Sequence, residues 1–321
     1  MRVVLYSDDL YPEGQVGTGG PKYVYYLLRE LPKLGVDVVR LHKGEDPADV
    51  DVLHDPHAPW NAPLRPRRPL VITVHDLTPF THKRYYGWWP RTLYARKLRY
   101  VAGRARRILA DSRRTRDVLE SLLRPRVPVD VVPLGVEDRF RILPVDPPER
   151  PFVLQVGIHR RIKEPMATLR AFEAIADRIP HDLRFVGGPI GYGDELKAYA
   201  ASRPALPERV RVYWPGEDGI PALYNQTDLV VHPCPEEGFG FVPLEALACG
   251  AHVLARAAAV RETLGPHGCY FEDDRELPAK ILECLAHSPS ASREERSRHA
   301  RQYTFRAMAE ATARTYSAAA T

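Results

Sequence analysis

Two carboxylates stand with seven residues between them in PEEGFGFVPLEALACG (Pro235–Gly250): Glu237 ahead of a Gly238–Phe239–Gly240 turn, and Glu245 beyond it. Gly238 and Gly240 let the backbone turn sharply and come close to a ligand. A helix starting near Phe241 would offer unpaired N–H groups and a positive dipole end to an anion. One carboxylate at the mouth of a crevice and one about a turn into the helix would suit an extended ligand. The first would lie near a reacting centre, and the second would accept two hydroxyl hydrogen bonds. A molecule with phosphates between two sugars has that form.

The neighbouring residues must hold this loop in place. Upstream, DLVVHP (Asp228–Pro233) is a short apolar run of the kind that forms a buried parallel strand. Downstream, Val242, Leu244, Leu247 and Ala248 fall near helical spacing, Gly250 is a natural helix stop, and HVLA (His252–Ala255) reads as the next strand. The order is strand, glycine loop, helix, strand. The same alternation fills the chain. RVVLY, VDVVRL, DVLH, LVITVH, RILAD and VDVVPLG read as strands of the first half, with helices such as GPKYVYYLLRELPKLG between them. The proline-rich RILPVDPPERP (Arg141–Pro151) interrupts the pattern, which restarts at FVLQVG and runs through LRFVGG and RVRVYW. The expectation is α/β: two doubly wound, Rossmann-like domains facing an inter-domain cleft, with ligands at strand C-terminal ends. The boundaries read as 1–145, 146–303 and a last helix over 304–321, whose packing place the sequence leaves open.

The chain has 321 residues, 44% of them hydrophobic and 27% charged, in the range of globular proteins. No apolar run is long enough for a signal peptide or a membrane span, so a cytoplasmic protein is expected. The four cysteines, Cys234, Cys249, Cys269 and Cys284, lack C-x-x-C spacing and read as small buried hydrophobes. The formal net charge of +5 is uneven: residues 1–150 hold 26 Lys/Arg against 19 Asp/Glu. Lys83–Arg116 alone has 12 basic residues and one acid, Asp111. Such a stretch can face an anionic membrane or an acidic acceptor, or it can be a solvated face. No nucleic-acid-reading motif accompanies it. GTGG (Gly17–Gly20) is not a dinucleotide fingerprint, because Lys22 stands at the third glycine position. The acids of DVD (Asp49–Asp51) precede their strand, so no metal is expected there.

Taken together, EEGFGFVPLEALACG with its Glu-x7-Glu spacing, VRETLG (Val260–Gly265), GTGGPKYVYYLLRELPKLGVDVV, VITVHDLTPF, ADSRRTRDVL, VVPLGVEDRF and LQVGIHRRIKEPMATLRAFE resemble retaining glycosyltransferase family 4, of GT-B fold. The resemblance implies transfer of a sugar from a nucleoside-diphosphate sugar to a glycan, lipid-linked or small-molecule acceptor, with no cofactor and no metal. By the same resemblance, Glu245 holds the ribose hydroxyls and Glu237 meets the donor sugar. Backbone N–H groups around Phe239, Gly240, Phe241 and Val242 meet sugar hydroxyls and phosphates. Lys163 neutralises the diphosphate, Gly19 and Gly20 present a helix N-terminus to it, and His75 lies near the sugar's outer hydroxyls. The family often has a basic residue beside its lysine. Ile162 stands there, which leaves Arg160 or Arg161 as the second cation. Cys234 replaces a common serine. His54 and His57 line the acceptor side or serve the structure. A sugar phosphorylase, a nucleotide-sugar hydrolase and a silent sugar-nucleotide or polyanion binder remain as alternatives.

Overall fold

A computed structural model describes residues 1–6, 19–42, 45, 47, 49–63, 65–187, 192–287 and 289–321. The start of the GTGG loop, Gly17 and Thr18, lies outside them. In chain order the first elements are β1 (Arg2–Tyr6), α1 (Gly19–Glu30), β2 (Asp37–Leu41), β3 (Val52–Asp55) and β4 (Leu70–Val74). They continue with α2 (Thr78–Thr81), α3 (Trp88–Ala102), β5 (Arg107–Ala110), α4 (Arg113–Leu123) and β6 (Val129–Val131). A second series follows: β7 (Phe152–Val156), α5 (Pro165–Glu173), β8 (Asp182–Val186), α6 (Gly193–Ala201), β9 (Val210–Tyr213), α7 (Ile220–Gln226) and β10 (Leu229–His232). It ends with α8 (Phe241–Ala248), β11 (Val253–Ala255), α9 (Ala258–Leu264), β12 (Cys269–Tyr270), α10 (Leu277–Ala286), α11 (Arg293–Ala300) and α12 (Phe305–Ala320).

Each series builds one six-stranded parallel sheet, and each sheet belongs to one compact unit. Met1–Gly135 with Tyr303–Thr321 form the first unit, and Val136–Gln302 form the second. Residues 136–145 belong to the second unit because they pack on it. Phe140 is 1% exposed beside Tyr224, and the Arg139 guanidinium pairs with Glu217 at 3.0 Å. Helix α12 is part of the first unit: Phe305 stacks on Tyr26 at 3.5 Å, and Tyr316 bonds His54 at 2.7 Å. Gly135 lies where the chain comes back, and a Cβ there would stand 2.2 Å from the Phe305 nitrogen.

The strand orders locate the binding sites. The first sheet runs β2-β1-β3-β4-β5-β6 and the second β12-β11-β10-β7-β8-β9. The chain reverses direction between β1 and β3 in the first sheet, and between β7 and β10 in the second. Beyond the carboxyl ends of such strands, neighbouring loops turn opposite ways and leave a crevice. Continuous apolar strands buried on both faces make both sheets rigid; β4 (LVITV) and β10 (LVVH) are buried throughout.

Candidate functional site

Glu237 follows β10, and Lys163 sits in a short 3₁₀ turn after β7, so both rise at the second sheet's switch point. The Lys163 ammonium contacts the Glu237 carboxylate, Nζ to Oε1. His232, the last residue of β10, donates from Nε2 to the same oxygen at 3.0 Å. Burial alone would raise the Glu237 carboxyl, but Lys163 beside it and the His232 hydrogen bond outweigh burial and hold it well below the usual carboxylate range. Burial lowers His232 despite Glu237, so its ring is a neutral donor. Gln155, 3% exposed in β7, fixes the lysine loop by donating from Nε2 to the Lys163 carbonyl at 3.0 Å. His232 carried no assigned role in the sequence reading. Its signal was there, as a histidine at a strand's carboxyl end five residues ahead of the glutamate.

The glycine turn then aims α8. Gly240 caps it in a left-handed conformation with φ 92°, and a Cβ there would also stand 2.8 Å from Val260 Cγ2. Phe241 and Val242 form the helix's first turn. Phe239 is buried edge-on to Phe241, ring centroids 5.5 Å apart, and holds the turn against the core. Glu245, the fifth residue of α8, is 7% exposed. Burial first, and then the Glu245 charge, push the neighbouring Cys249 thiol up to about 12 and the Tyr224 hydroxyl well above its ordinary value. Gly238 stays half-buried between the two glutamates. Glu236, the adjacent acid, is 6% exposed. Arg161 lies elsewhere: its guanidinium sits over the Tyr192 ring, 5.2 Å from the centroid.

The first unit repeats the placement with other chemistry. Gly19 and Gly20 open α1, the helix that follows β1. His57 follows β3, and His75 follows β4. A Cβ on Gly20 would stand 2.8 Å from His57 Cε1, so glycine lets the helix start close onto that ring. His75 donates from Nδ1 to Asp111 at 2.8 Å and from Nε2 to the Pro56 carbonyl at 2.8 Å. Both ring nitrogens therefore face acceptors, the arrangement an imidazolium needs. Burial pulls the His75 value down, but the Asp111 carboxylate more than reverses this and raises it. His57 Nδ1 lies 3.2 Å from His75 Nε2, and burial with the His75 charge lowers His57 to about 3. Burial likewise lowers His54 to about 3; it bridges Tyr316 and Thr73 inside the sheet, so it is a structural residue.

Beside His57 and His75 opens a cavity of about 760 Å³ walled by Trp60, Tyr86, Trp89 and Tyr94. Trp60 and Tyr94 stack at 5.9 Å, and Lys97 Nζ lies 4.5 Å over Trp60. Part of the basic stretch thus frames an aromatic pocket. Helix α3 buries Leu98, Val101 and Ala102 and turns Arg96 and Arg99 outward, while Arg91 lines the pocket. No helix of the described residues is long and apolar enough to cross a membrane.

Residues 150–287 match the family model for glycosyl transferases group 1, and residues 40–140 match the model for Glycosyltransferase Family 4. The chain belongs to glycosyltransferase family 4. It is 32% identical over 225 residues to a D-inositol 3-phosphate glycosyltransferase of Salinispora tropica, covering 62% of this chain and 47% of that protein. It is 28% identical over 309 residues to the protein of that name from Mycolicibacterium smegmatis, covering 88% and 70%. The chain thus spans about half the length of the Salinispora protein. In three dimensions it is similar to sucrose-phosphate synthase of Thermosynechococcus elongatus, with TM-score 0.77 and 19% identity over 99% of this chain and 98% of the other. It is also similar to Anabaena HepE in complex with UDP-glucose, with TM-score 0.73 and 18% identity over 99% and 100%. The fold is GT-B, with two parallel six-stranded sheets.

Proposed function

We propose that this chain is a retaining glycosyltransferase that moves a hexosyl group from a nucleoside-diphosphate sugar to an acceptor hydroxyl, without a divalent metal in the reaction. The observation that carries the reading is the Lys163–Glu237–His232 cluster at a switch point, with Glu245 about a turn into the helix that follows. Without donor, the ammonium and the carboxylate compensate each other. An arriving diphosphate competes for Lys163, and Glu237, held ionised, turns to the sugar hydroxyls. Glu245 takes the ribose, and the first turn of α8 receives phosphate. The acceptor oxygen bonds to the anomeric carbon on the face from which the diphosphate leaves. The bond from that carbon to phosphate breaks, and the acceptor proton passes to the departing phosphate oxygen. Lys163 and the helix dipole stabilise the charge that develops there.

The aromatic cavity beside His75 is the acceptor pocket in this reading, and its cationic rim favours an anionic polyol. The family names and the HepE complex set the first pair to test, UDP-glucose with inositol 3-phosphate. Thermal unfolding with a panel of nucleotide sugars should single out one donor, and that donor should yield an α-linked product with chelator present. Stabilisation by no nucleotide sugar, or activity lost in chelator and restored by magnesium, would overturn the reading. The exposed arginines of α3 also suit a peripheral contact with anionic lipid. Sedimentation with vesicles at low salt tests this, and equal binding to neutral and anionic vesicles leaves a solvated face.

A further inference from the structure

Three soft donor groups meet at the other end of the second sheet. His252 immediately precedes β11, Cys269 begins β12, and Cys284 sits in α10. Leu254 pairs with Cys269 in parallel register, which places His252 and Cys269 at the amino ends of their strands. Glu237 belongs to the carboxyl end of β10, so this cluster stands apart from the proposed donor site. His252 Nε2 lies 3.1 Å from Cys269 Sγ, and all three ligand atoms fall within 4.8 Å of one another. A tetrahedral zinc ion, with bonds of about 2.1 Å to nitrogen and about 2.3 Å to sulfur, spaces its ligands by roughly 3.5–3.8 Å. The triangle therefore closes on a metal with small side-chain shifts. His252 is 6% and Cys284 7% exposed, while Cys269 is half-buried, so one side of the triangle remains open to water.

The ordinary use of cysteine as a small hydrophobe describes the other two. Burial pushes the Cys234 and Cys249 thiols up to about 12. A second group, His232, Cys234 and Glu237, is also close, but Lys163 already supplies its cation.

We propose that His252, Cys269 and Cys284 form a zinc site that clips β12 and α10 to the edge of the second sheet. β12 is two residues long and is the outermost strand of that sheet, so its own hydrogen bonds hold it weakly. Three protein ligands leave the fourth position, on the open side, to water, and the site takes no part in sugar transfer. Chain spacings of 17 and 15 residues, from a strand start, a strand and a helix, escape any short-spacing motif.

The test uses the full chain, stripped with chelator under reductant and titrated anaerobically with cobalt(II), then zinc. The expected result is one equivalent of cobalt, a thiolate-to-cobalt charge-transfer band with tetrahedral d–d intensity, displacement by zinc, and a zinc-dependent rise in Tm. Cys269→Ser and Cys284→Ser should each weaken binding by about 100-fold or more, and Cys234→Ser should not. Should a cysteine variant fail to fold, His252→Gln serves: weakened cobalt affinity with the sulfur band retained is expected. Cobalt bound without the sulfur band, affinity unchanged in His252→Gln, or binding lost in Cys234→Ser would overturn the proposal. So would a reduced protein that takes up no metal and, in air, links Cys269 to Cys284.

Discussion

Both sheets place a histidine at or just past a strand's carboxyl end, His232 on β10 and His75 after β4, and use them differently. In the second unit, the neutral His232 donates one hydrogen bond to a carboxylate already paired with an ammonium. In the first, Asp111 and the Pro56 carbonyl favour the charged form of His75, with His57 as its neighbour. The difference is one of charge type. The second unit pairs an ammonium with a carboxylate held well below its usual range, as suits a diphosphate. The first carries one titratable group at the wall of an aromatic pocket, as suits the anionic acceptor proposed above. The same parallel-sheet geometry thus yields a fixed electrostatic site and a pH-sensitive one.

The largest effect should come from Lys163. Lys163→Ala removes the group that meets the leaving diphosphate, and kcat should fall by about 10²–10³. It also leaves Glu237 without its ammonium. Because Lys163 lowers the Glu237 value, the pair stabilises the fold above the ordinary carboxylate pKa of about 4.3 and ceases to do so as pH falls through the depressed folded value. The variant should therefore be less stable than the wild type at pH 7 by about 2 kcal/mol, and the gap should close toward pH 3. Urea unfolding at the two pH values measures this. A gap independent of pH would show that Lys163 does not hold the Glu237 charge.

Next come the two glutamates. Glu237→Gln keeps the size and removes the charge near the transferring sugar. It should lower kcat about a hundredfold, or about 2.7 kcal/mol, with donor affinity nearly intact. Glu245→Gln should chiefly raise the donor KM. Calorimetry with the free nucleoside diphosphate separates them: the Glu237 variant should bind it like the wild type, and the Glu245 variant roughly tenfold more weakly. Equal losses would show that the two carboxylates do not serve opposite ends of one ligand.

Much of this was legible from local pattern. Runs such as LVITV and LVVH are apolar on both faces, and only a buried parallel strand uses such a run. Gly240 was legible because its backbone conformation and its neighbour Val260 both demand glycine. Helix α1 reads too long in sequence: apolar residues continue to Leu34, but Pro32 starts a 3₁₀ turn, and Gly35 closes it with φ 77°. Helix α11 went unread because REERSRHA has no apolar stripe. Its buried contact is the Arg296 guanidinium on the Gly250 carbonyl, at 2.7 and 3.2 Å, and its one local sign is the Ser292–Glu295 capping box. What sequence could not supply was partnership. Lys163 and Glu237 are 74 residues apart, and His75 and Asp111 are 36 apart. No periodicity links such pairs; the sheet's strand order does.

The smallest effect should be that of Asp111→Asn, and it separates the two units most finely. In the wild type the His75 value is raised, so the contribution of the His75–Asp111 pair to stability is fully present below about pH 6.5, the unfolded value, and is lost as pH rises through the folded one. Asparagine still accepts a hydrogen bond but brings no charge. Burial, which lowers the His75 value, then acts without its main opponent, and the value should fall below 6.5. The ring becomes neutral, and the Pro56 carbonyl and His57 compete for one N–H. At pH 6 the variant should lose about 1 kcal/mol of stability, and at pH 8 much less. Affinity for the free nucleoside diphosphate, which lacks the sugar that His75 would meet, should not change. NMR titration of the His75 ring checks the direction. A His75 value that stays raised in Asp111→Asn would mean that another group supplies the charge, and the contrast between the two histidines would then fail.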